Sequence, residues 1–252
     1  MIKAVLFDLG GTLHTSSSPE GRSLWFARRL LDRLEDYGIS LNVQPQELDR
    51  QLRENSEQYK HWSEESLREL PAEQIWSEYF LRGQGLSRQQ LAPIAEELSF
   101  LYDYERPRVM RRPHLTETFE ALAAMGMKTG IISNIISRSV VPHFLAEYGL
   151  SGYMSCQILS CEAGIRKPSA DIFRLAEQAL GLPPEELAYV GDTISRDVRG
   201  VRNAGWRLMI QIQNPGIAHR DAAFVGKGYE PDYRIGDLLE IPAIIEKENR
   251  LA

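Results

Sequence analysis

The 252-residue sequence contains only two cysteines, Cys156 and Cys161, and has a net charge of −6. The two cysteines do not form a CxxC pair, so neither a disulfide framework nor a structural zinc site is expected, and we interpret them as reduced thiols of a cytoplasmic protein. The negative charge argues against a nucleic-acid-binding surface, where Lys and Arg normally cluster. An anionic substrate is still compatible with this charge, because a bound metal ion can offset local negative charge.

Long hydrophobic runs are also absent from the sequence. No stretch approaches the ~20 consecutive apolar residues of a membrane-spanning helix, and the apolar run at the N-terminus is too short for a signal peptide. Hydrophobic residues make up 43% of the sequence and charged residues 25%, as in ordinary globular proteins. The length predicts either one large domain or one domain that carries an insert.

The segment 15–108 differs in composition from the rest of the chain. It is rich in Glu, Gln, Arg and Leu, and one helix face is indicated by the spacing of Leu24, Ala27, Leu31 and Leu34. Further helices, separated by Pro and Gly, are predicted at 45–59, 71–81 and 88–104. No β-strand is predicted between residues 15 and 107, so we expect residues 15–108 to form an all-helical domain.

The remaining sequence alternates between short apolar strands and helices. Strands are predicted at 3–8, 128–133, 153–159, 187–190, 207–212 and 233–235. Helices are predicted at 116–125, 138–148, 170–180, 195–204 and 238–247. Such alternation is typical of βα units, in which helices cover both faces of a parallel sheet. The sequence therefore predicts an α/β fold, with a Rossmann-like open parallel sheet core (1–14 and 109–252) that is interrupted after its first strand by the helical domain.

Polar residues stand where three of the predicted strands end. Asp8 follows Val5-Leu6-Phe7, Ser133 ends the strand at 128–133, and Asp192 follows Val190-Gly191. Open α/β sheets bind their ligands at the carboxyl ends of the strands. Residues that are far apart in the sequence are therefore expected to converge on one crevice.

The residues at these strand ends have the chemistry of phosphoryl transfer. A carboxylate such as that of Asp8 can act as a nucleophile and form an aspartyl phosphate. The Ser133 hydroxyl can donate a hydrogen bond to a phosphate oxygen, and Lys167 can neutralise the charge of the phosphate. Asp192 and Asp197 offer the hard oxygen ligands that Mg²⁺ prefers. Each residue alone also fits an ordinary structural role, as a helix cap, a turn residue or a solvent-exposed side chain.

Four short segments together resemble the four motifs of the haloacid dehalogenase-like superfamily. They are FDLGGTL (7–13), IISN (131–134), RKP (166–168) and VGDTISRD (190–197). The resemblance covers about 1–13 and 109–245, and the helical insert looks like a type C1 cap of that superfamily. It implies an Mg²⁺-dependent phosphohydrolase that acts on a small phosphorylated metabolite through an aspartyl-phosphate intermediate.

The resemblance also implies a role for each motif residue. The implied catalytic residues are Asp8, the nucleophile, with Ser133 and Lys167. The implied substrate-binding residues are Ser133, Asn134 and Lys167. The implied ligands of Mg²⁺ are Asp8, the backbone carbonyl of Gly10, Asp192 and Asp197, the last of these either directly or through water.

The sequence departs from the superfamily pattern at Gly10. Most phosphatases of the superfamily carry a second Asp at this position, which protonates the leaving oxygen and then activates water. Gly10 cannot transfer a proton, and the loss of a positioned acid–base group is worth roughly 10²–10⁴ in rate. Gly10 therefore predicts a slow or specialised phosphatase, in which His14 is a candidate for the missing acid–base group.

Two alternatives to a phosphatase remain open because of Gly10. Haloacid dehalogenases and phosphonatases of the superfamily also lack the second Asp. The metal carboxylate at Asp192 disfavours a metal-free dehalogenase, and a phosphonatase would need Lys60, the only lysine between Asp8 and Pro107, for a Schiff base. The other alternative is a non-catalytic or weakly catalytic module that binds phosphate and Mg²⁺.

The helical insert is expected to cover the crevice and to select the substrate, as lids do in other enzymes. Candidates for contact with an anionic substrate are Arg22, Arg28, Arg29, Lys60, His61, Arg111 and Arg112, although solvent exposure is the default for each. Six aromatic residues are expected to fill the interior of the insert: Trp25, Phe26, Trp62, Trp76, Tyr79 and Phe80. Hinges are predicted near 15–19 and 106–113. The protein is expected to be a monomer or a homodimer, with no nucleic-acid or membrane partner.

Overall fold

The computed structural model describes residues 1–251, which form an α/β core and a helical insert. The strands are β1 (Ala4–Phe7), β2 (His14–Ser17), β3 (Arg108–Arg111), β4 (Lys128–Ser133), β5 (Met154–Leu159), β6 (Leu187–Gly191), β7 (Leu208–Ile212) and β8 (Tyr233–Ile235). Six of them form a parallel sheet in the order β5-β4-β1-β6-β7-β8. β2 and β3 pair with each other as a separate antiparallel ribbon.

Helices cover both faces of the sheet and make up most of the insert. They are α1 (Arg22–Asp36), α2 (Pro45–Ser66), α3 (Ala72–Ile75), α4 (Arg88–Leu91), α5 (Ala95–Phe100), α6 (Leu115–Ala124), α7 (Val140–Glu147), α8 (Ser160–Ala163), α9 (Ala170–Leu180), α10 (Arg199–Ala204), α11 (Ala218–Asp221) and α12 (Glu240–Arg250). Short π-helical turns adjoin α3, α5 and α10 at Trp76–Phe80, Leu101–Glu105 and Ile194–Val198. Across residues 1–251, the helices are all too short or too polar to cross a lipid bilayer.

The predicted α/β fold with a parallel sheet and an inserted helical segment is confirmed. The apolar runs form the strands because both faces of a parallel sheet are buried, and every residue of β1 and of β6 is buried. The prediction that residues 15–107 contain no strand is wrong, because β2 extends to Ser17. Its sequence, HTSS, pairs with RVMR of β3 and lacks the apolar alternation that signals a strand.

The order of the strands decides where polar strand-end residues meet. β1 lies at the centre of the sheet, with β4 on one side and β6 on the other. From β1 the chain adds β4 and β5 on one side of the sheet, and then β6, β7 and β8 on the other side. The carboxyl ends of the strands on either side of such a switch point line a crevice. The ends of β1, β4 and β6 therefore bring Asp8, Ser133 and Asp192 to the same edge of the sheet.

The helical insert has its own hydrophobic interior. Phe26, Trp76 and Phe80 are buried there, and the Trp76 indole Nε1 donates a hydrogen bond to Ser99 Oγ over 2.9 Å. Trp62 and Tyr79 are half-buried against the same cluster. The prediction for Trp25 is wrong: it is 41% exposed, and the Arg22 guanidinium lies over its ring at 3.9 Å.

The insert joins the core at the β2–β3 ribbon, where hinges are predicted. The ribbon pairs His14 with Arg111 and Ser17 with Arg108, so both predicted domain boundaries fall within it. The assignment of 15–108 as a separate domain stays a prediction.

A buried ion pair forms a second connection between the insert and the core. Glu69, in the loop after α2, accepts hydrogen bonds from Arg166 and from Ser160 Oγ in the core and from Tyr59 of α2. Arg68 and Ile165 form a backbone bridge beside this pair. Glu69 and Arg166 are 5% and 8% exposed, so the two charges compensate each other away from water. Because Arg166 precedes Lys167 in the chain, the insert supports the loop that carries this lysine.

Further carboxylates of the insert bind the backbone of the loop that follows β4. Asp103 accepts hydrogen bonds from the N–H groups of Ile136 (3.2 Å) and Ser137 (3.1 Å). Glu96 accepts hydrogen bonds from the hydroxyl groups of Ser137 (2.8 Å) and Ser139 (2.7 Å). The insert therefore contacts the core both at the loop that carries Lys167 and at the loop that follows β4.

We expect Glu69→Gln to lower the free energy of unfolding by about 3–5 kcal/mol, because Arg166 would stay buried without a compensating charge. Glu54→Gln is the matched control, since Glu54 forms an exposed ion pair with Arg50, and its effect should be within about 1 kcal/mol. Urea unfolding of the two variants measures the difference. Equal losses in both variants would contradict a supporting role of the buried pair.

Candidate active site

Asp8 and Lys167 form an ion pair at the end of the central strand. Asp8 directly follows β1, and its backbone N–H donates to the carbonyl of Val190 on β6 over 2.9 Å. The Lys167 Nζ lies 2.9 Å from Asp8 Oδ1. Asp8 is 7% exposed and Lys167 is 3% exposed, so a positive charge stands beside a carboxylate with little competition from water.

The Lys167 ammonium is held by two further groups. Its Nζ lies 2.7 Å from Asp197 Oδ1 and donates to the Tyr189 hydroxyl over 2.7 Å. Tyr189 in turn donates to the carbonyl of Ile132 on β4 over 2.9 Å. The three donors of the ammonium are thus directed to groups of fixed position, which sets the place of its charge.

Asn134 fixes the backbone of the lysine loop. Its Nδ2 donates to the Lys167 carbonyl over 3.0 Å, and its Oδ1 accepts from the Lys167 N–H over 2.9 Å. Ser133, at the end of β4, is buried and lines the crevice beside Asp8. Sequence analysis predicts both residues to bind substrate, and the Asn134 amide is already engaged with the lysine loop in this structure.

Three buried carboxylates lie next to one another at the strand ends. Asp8, Asp192 and Asp197 each have an oxygen within 4.8 Å of the other two. Asp192 Oδ2 accepts from Asn214 Nδ2 over 2.7 Å, whereas its buried Oδ1 has no hydrogen-bond partner among the described residues. Asp197 uses Oδ1 for Lys167 and Oδ2 for the N–H (3.0 Å) and hydroxyl (2.6 Å) of Thr193.

Crowding of these carboxylates shifts their pKa values. Burial, followed by the negative charges of Asp197 and Asp8, raises the pKa of Asp192 to about 7. Burial also raises the pKa of Asp8, although the nearby Lys167 acts in the opposite direction. Burial opposes the charge of Asp197 as well, but Lys167 and Arg196 hold the pKa of this carboxyl below its usual value. One lysine therefore does not balance all three charges.

The arrangement fits a divalent cation. Asp8 and Asp192 offer hard oxygen ligands, and the unpartnered Asp192 Oδ1 is an acceptor that a cation would satisfy. A cation would also lower the pKa of Asp8 and of Asp192, because an opposite charge favours the ionised form. Gly10, whose carbonyl is a predicted ligand, lines the same crevice.

The two glycines after Asp8 have different surroundings. Gly11 has a φ of +91°, and a Cβ at this position would overlap the Asp192 carboxylate. Gly10 is exposed, and a Cβ built on it meets no atom within 4 Å. Gly11 thus lets the backbone pass close to Asp192, while Gly10 leaves open space in the crevice beside Asp8.

The crevice between the insert and the core has a volume of about 700 Å³. Lys60 of the insert lines it and pairs with Glu57 at 2.9 Å. The other cations of the insert that sequence analysis proposes as substrate contacts are engaged elsewhere or exposed. Arg22 donates to the carbonyls of Glu105 and Arg106, Arg29 pairs with Glu105, Arg28 is exposed, and His61 is 85% exposed near Glu65.

His14 lines the crevice, but its surroundings keep the imidazole neutral. The ring is 5% exposed, packs on Phe144, and its Nδ1 lies 3.0 Å from the Tyr148 hydroxyl. Burial, followed by the positive charge of Arg112, lowers the pKa of His14 to about 4. The ring therefore lacks the imidazolium form that would make a strong proton donor near pH 7.

Several residues of the site were not predicted from the sequence. Asn214, for example, contacts Asp192. Arg112, which sequence analysis proposes as a substrate contact, instead donates to the carbonyls of Gly11 (2.6 Å) and Gln213 (2.9 Å) and fixes the loop after Asp8. Asn214 could have been found, because it follows the predicted strand 207–212 as Asp8 follows its strand. Tyr189 lies inside a predicted strand, and Glu69 has no neighbouring motif, so neither gives such a signal.

We expect His14 to contribute a loss of about 3 kcal/mol in the free energy of unfolding as the pH falls from about 6.5 to about 4. The unfolded chain binds a proton at His14 near pH 6.5, while the folded chain binds it only near pH 4. His14→Gln should lose this part of the pH dependence in urea unfolding. The exposed variant His61→Gln should follow the wild type, and an unchanged profile in His14→Gln would contradict the assignment.

Comparisons with known proteins agree with this geometry. The sequence matches the family model for haloacid dehalogenase-like hydrolases over residues 2–205. It is 28% identical to glyceraldehyde 3-phosphate phosphatase of Methanopyrus kandleri over 98% of this chain and 100% of that one. It is 35% identical to phosphoserine phosphatase of Thermus thermophilus, over 58% of this chain and 56% of that one.

A similar fold occurs in the crystal structure of a HAD phosphatase from Thermococcus onnurineus. The two chains have a TM-score of 0.60 and 26% identity, with 97% of this chain and 98% of the other covered. The predicted resemblance is thereby confirmed, and the protein is a phosphatase-like hydrolase. The chain belongs to the haloacid dehalogenase-like hydrolases.

Proposed function

We propose that the protein is an Mg²⁺-dependent phosphohydrolase that cleaves the phosphate ester of a small metabolite. The observation that carries this proposal is the buried Asp8–Lys167 ion pair at the end of β1, beside two further carboxylates. The crevice of about 700 Å³ has the size of a small-molecule site. The names of the two phosphatase relatives, which refer to glyceraldehyde 3-phosphate and phosphoserine, support a substrate of this kind.

Asp8 is the proposed nucleophile. One of its carboxylate oxygens attacks phosphorus, the bond from phosphorus to the ester oxygen breaks, and an aspartyl phosphate forms while the leaving oxygen takes a proton from solvent water. Water then attacks this phosphate, which releases inorganic phosphate and restores Asp8. Lys167 holds Asp8 in place and offsets the charge of the phosphoryl oxygens, and the Ser133 hydroxyl donates to one of them.

Asp8, Asp192 and the Gly10 carbonyl are the proposed ligands of Mg²⁺. The bound ion would supply positive charge beside the phosphoryl group, in addition to that of Lys167. Asp197 is not proposed as a direct ligand of the ion, because its two oxygens are engaged with Lys167 and Thr193. We therefore assign Asp197 to positioning Lys167 and to supporting the metal through water.

Gly10 leaves the proton transfers without an obvious donor. The leaving alcohol needs a proton, and the water that cleaves the aspartyl phosphate must lose one. Gly10 has no side chain for either step, and the imidazole of His14 is neutral near pH 7. The proposed enzyme is consequently slow on poor leaving groups and faster on good ones.

Asp8→Asn should reduce hydrolysis of all phosphate esters by a factor of about 10⁴ or more, because the nucleophile is lost. Steady-state rates with excess Mg²⁺ on a panel of phosphorylated metabolites measure this. Asp32→Asn, which changes an exposed carboxylate on α1, is the matched control and should keep the wild-type rate. Turnover by Asp8→Asn near the wild-type level would remove the nucleophile assignment.

Gly10→Asp should raise kcat for an alkyl phosphate on the order of 10-fold to 100-fold, and for an aryl phosphate much less. The crevice has room for the new side chain, and only the alkyl ester has a leaving group that needs a proton. Gly10→Asn is the matched control, since it has the same shape without an acidic proton. An equal effect of Gly10→Asp on both esters, or an equal gain with Gly10→Asn, would contradict the missing-acid explanation.

A further inference from the structure

Arg196 brings a second positive charge into the crevice. It lies in the π-helical turn Ile194–Val198, between Asp192 and Asp197, and it lines the crevice with Asp8 and Lys167. Burial works against its charge, but Asp197, Asp8 and Asp192 raise the pKa of Arg196 above its usual value. The Arg196 guanidinium is therefore fully charged and close to the reacting carboxylate.

Arg220 is brought to the same place by the segment that follows β7. Asp221, the next residue, accepts hydrogen bonds from the N–H groups of Ile194 (2.7 Å) and Ser195 (3.0 Å). Asn214, at the other end of the segment, donates to Asp192. The segment 214–221 is thus attached at both ends to the residues around Asp192, and Arg220 lines the crevice beside Arg196.

The two arginines line the same crevice, and the charge of Arg196 acts on Arg220. Burial, followed by the positive charge of Arg196, lowers the pKa of Arg220. Among the residues whose side chains are described, neither guanidinium has a carboxylate within the 4.0 Å of an ion pair. Guanidinium groups without an ion-pair partner keep N–H donors free, and a bound anion would accept hydrogen bonds from them.

Other cations that line the crevice are already engaged. Lys167 pairs with Asp8 and Asp197, and Arg166 pairs with Glu69. Lys60 pairs with Glu57, and the Arg106 guanidinium lies over the Tyr102 ring at 4.3 Å. Arg196 and Arg220 are therefore the pair that has hydrogen-bond donors to offer an incoming anion.

We propose that Arg196 and Arg220 bind a second anionic group of the substrate, either a carboxylate or a second phosphate. This inference rests on the proposed function and names the substrate class: phosphate esters that carry another anion close to the phosphoryl group. The planar guanidinium presents two parallel N–H donors, which match the two oxygens of a carboxylate or a phosphate. The pair adjoins the Asp8 site, so one compact molecule reaches both.

The test compares phosphonates that differ in one group, with excess Mg²⁺, by calorimetric titration. The three probes share a phosphonate attached to one CH₂ group. This CH₂ group carries a methyl group in ethylphosphonate, a carboxylate in phosphonoacetate and a second phosphonate in methylenediphosphonate. The wild type should bind phosphonoacetate or methylenediphosphonate at least about ten-fold more tightly than ethylphosphonate, which corresponds to about 1.4 kcal/mol. Whichever of phosphonoacetate and methylenediphosphonate binds more tightly identifies the second anionic group as a carboxylate or a phosphate.

Arg196→Gln should reduce this preference to about two-fold or less, and Arg220→Gln should reduce it as well. Arg174→Gln is the matched control, because Arg174 is exposed on α9 and pairs with Asp171, away from the crevice. Equal weakening of all three probes in Arg196→Gln would overturn the inference, since the arginine would then act on the phosphoryl group. Equal affinity of the wild type for the three probes would overturn it too, whereas failure to bind any probe would contradict the proposed phosphate site itself.

Discussion

The site depends on the position of one ammonium group, the Nζ of Lys167. Three buried carboxylates within 4.8 Å of one another would repel strongly, and Lys167 contacts two of them, Asp8 and Asp197. Its third contact, Tyr189, donates to the Ile132 carbonyl. This single group therefore links the ends of β1, β4 and β6 with the turn after β6. Asp192 has no ion-pair partner among the described residues, and its buried Oδ1 accepts no hydrogen bond there, which is the physical reason why the site is suited to a cation.

The insert reaches this ammonium through the neighbouring residue. Arg166 pairs with Glu69 of the insert, and the backbone bridge between Arg68 and Ile165 lies beside the pair. A displacement of the insert would thus disturb the loop that carries Lys167. The insert consequently has two effects on the site: it lines the crevice with residues such as Lys60, and it supports the loop that carries Lys167.

The sequence predicts the sheet and the strand-end residues well because both follow from local patterns. A buried parallel strand is a short apolar run, and the polar residue that follows it lies at the ligand-binding edge. Contacts between distant segments have no such local pattern. The β2–β3 ribbon joins residues about 90 positions apart through polar or exposed side chains, and Glu69 and Arg166 are separated by 97 residues. Trp25 shows a further limit, because an aromatic residue on a helix can pack under a surface arginine instead of entering the interior.

Gly10 and the arginine pair are connected through the energetics of catalysis. An enzyme without a positioned acid loses transition-state stabilisation at the leaving group. Binding energy from a part of the substrate that does not react can be used to orient the reacting group and to exclude water. Arg196 and Arg220 are placed to provide such binding energy, because they line the same crevice as Asp8 but do not form an ion pair with it. For a substrate with a second anionic group, binding energy at the arginine pair would then compensate in part for the absence of an acid at Gly10. A substrate without this group would have neither the acid nor the additional binding energy. Under the proposed function, slow turnover on simple esters and a preference for esters that carry a second anionic group therefore have one origin in this site.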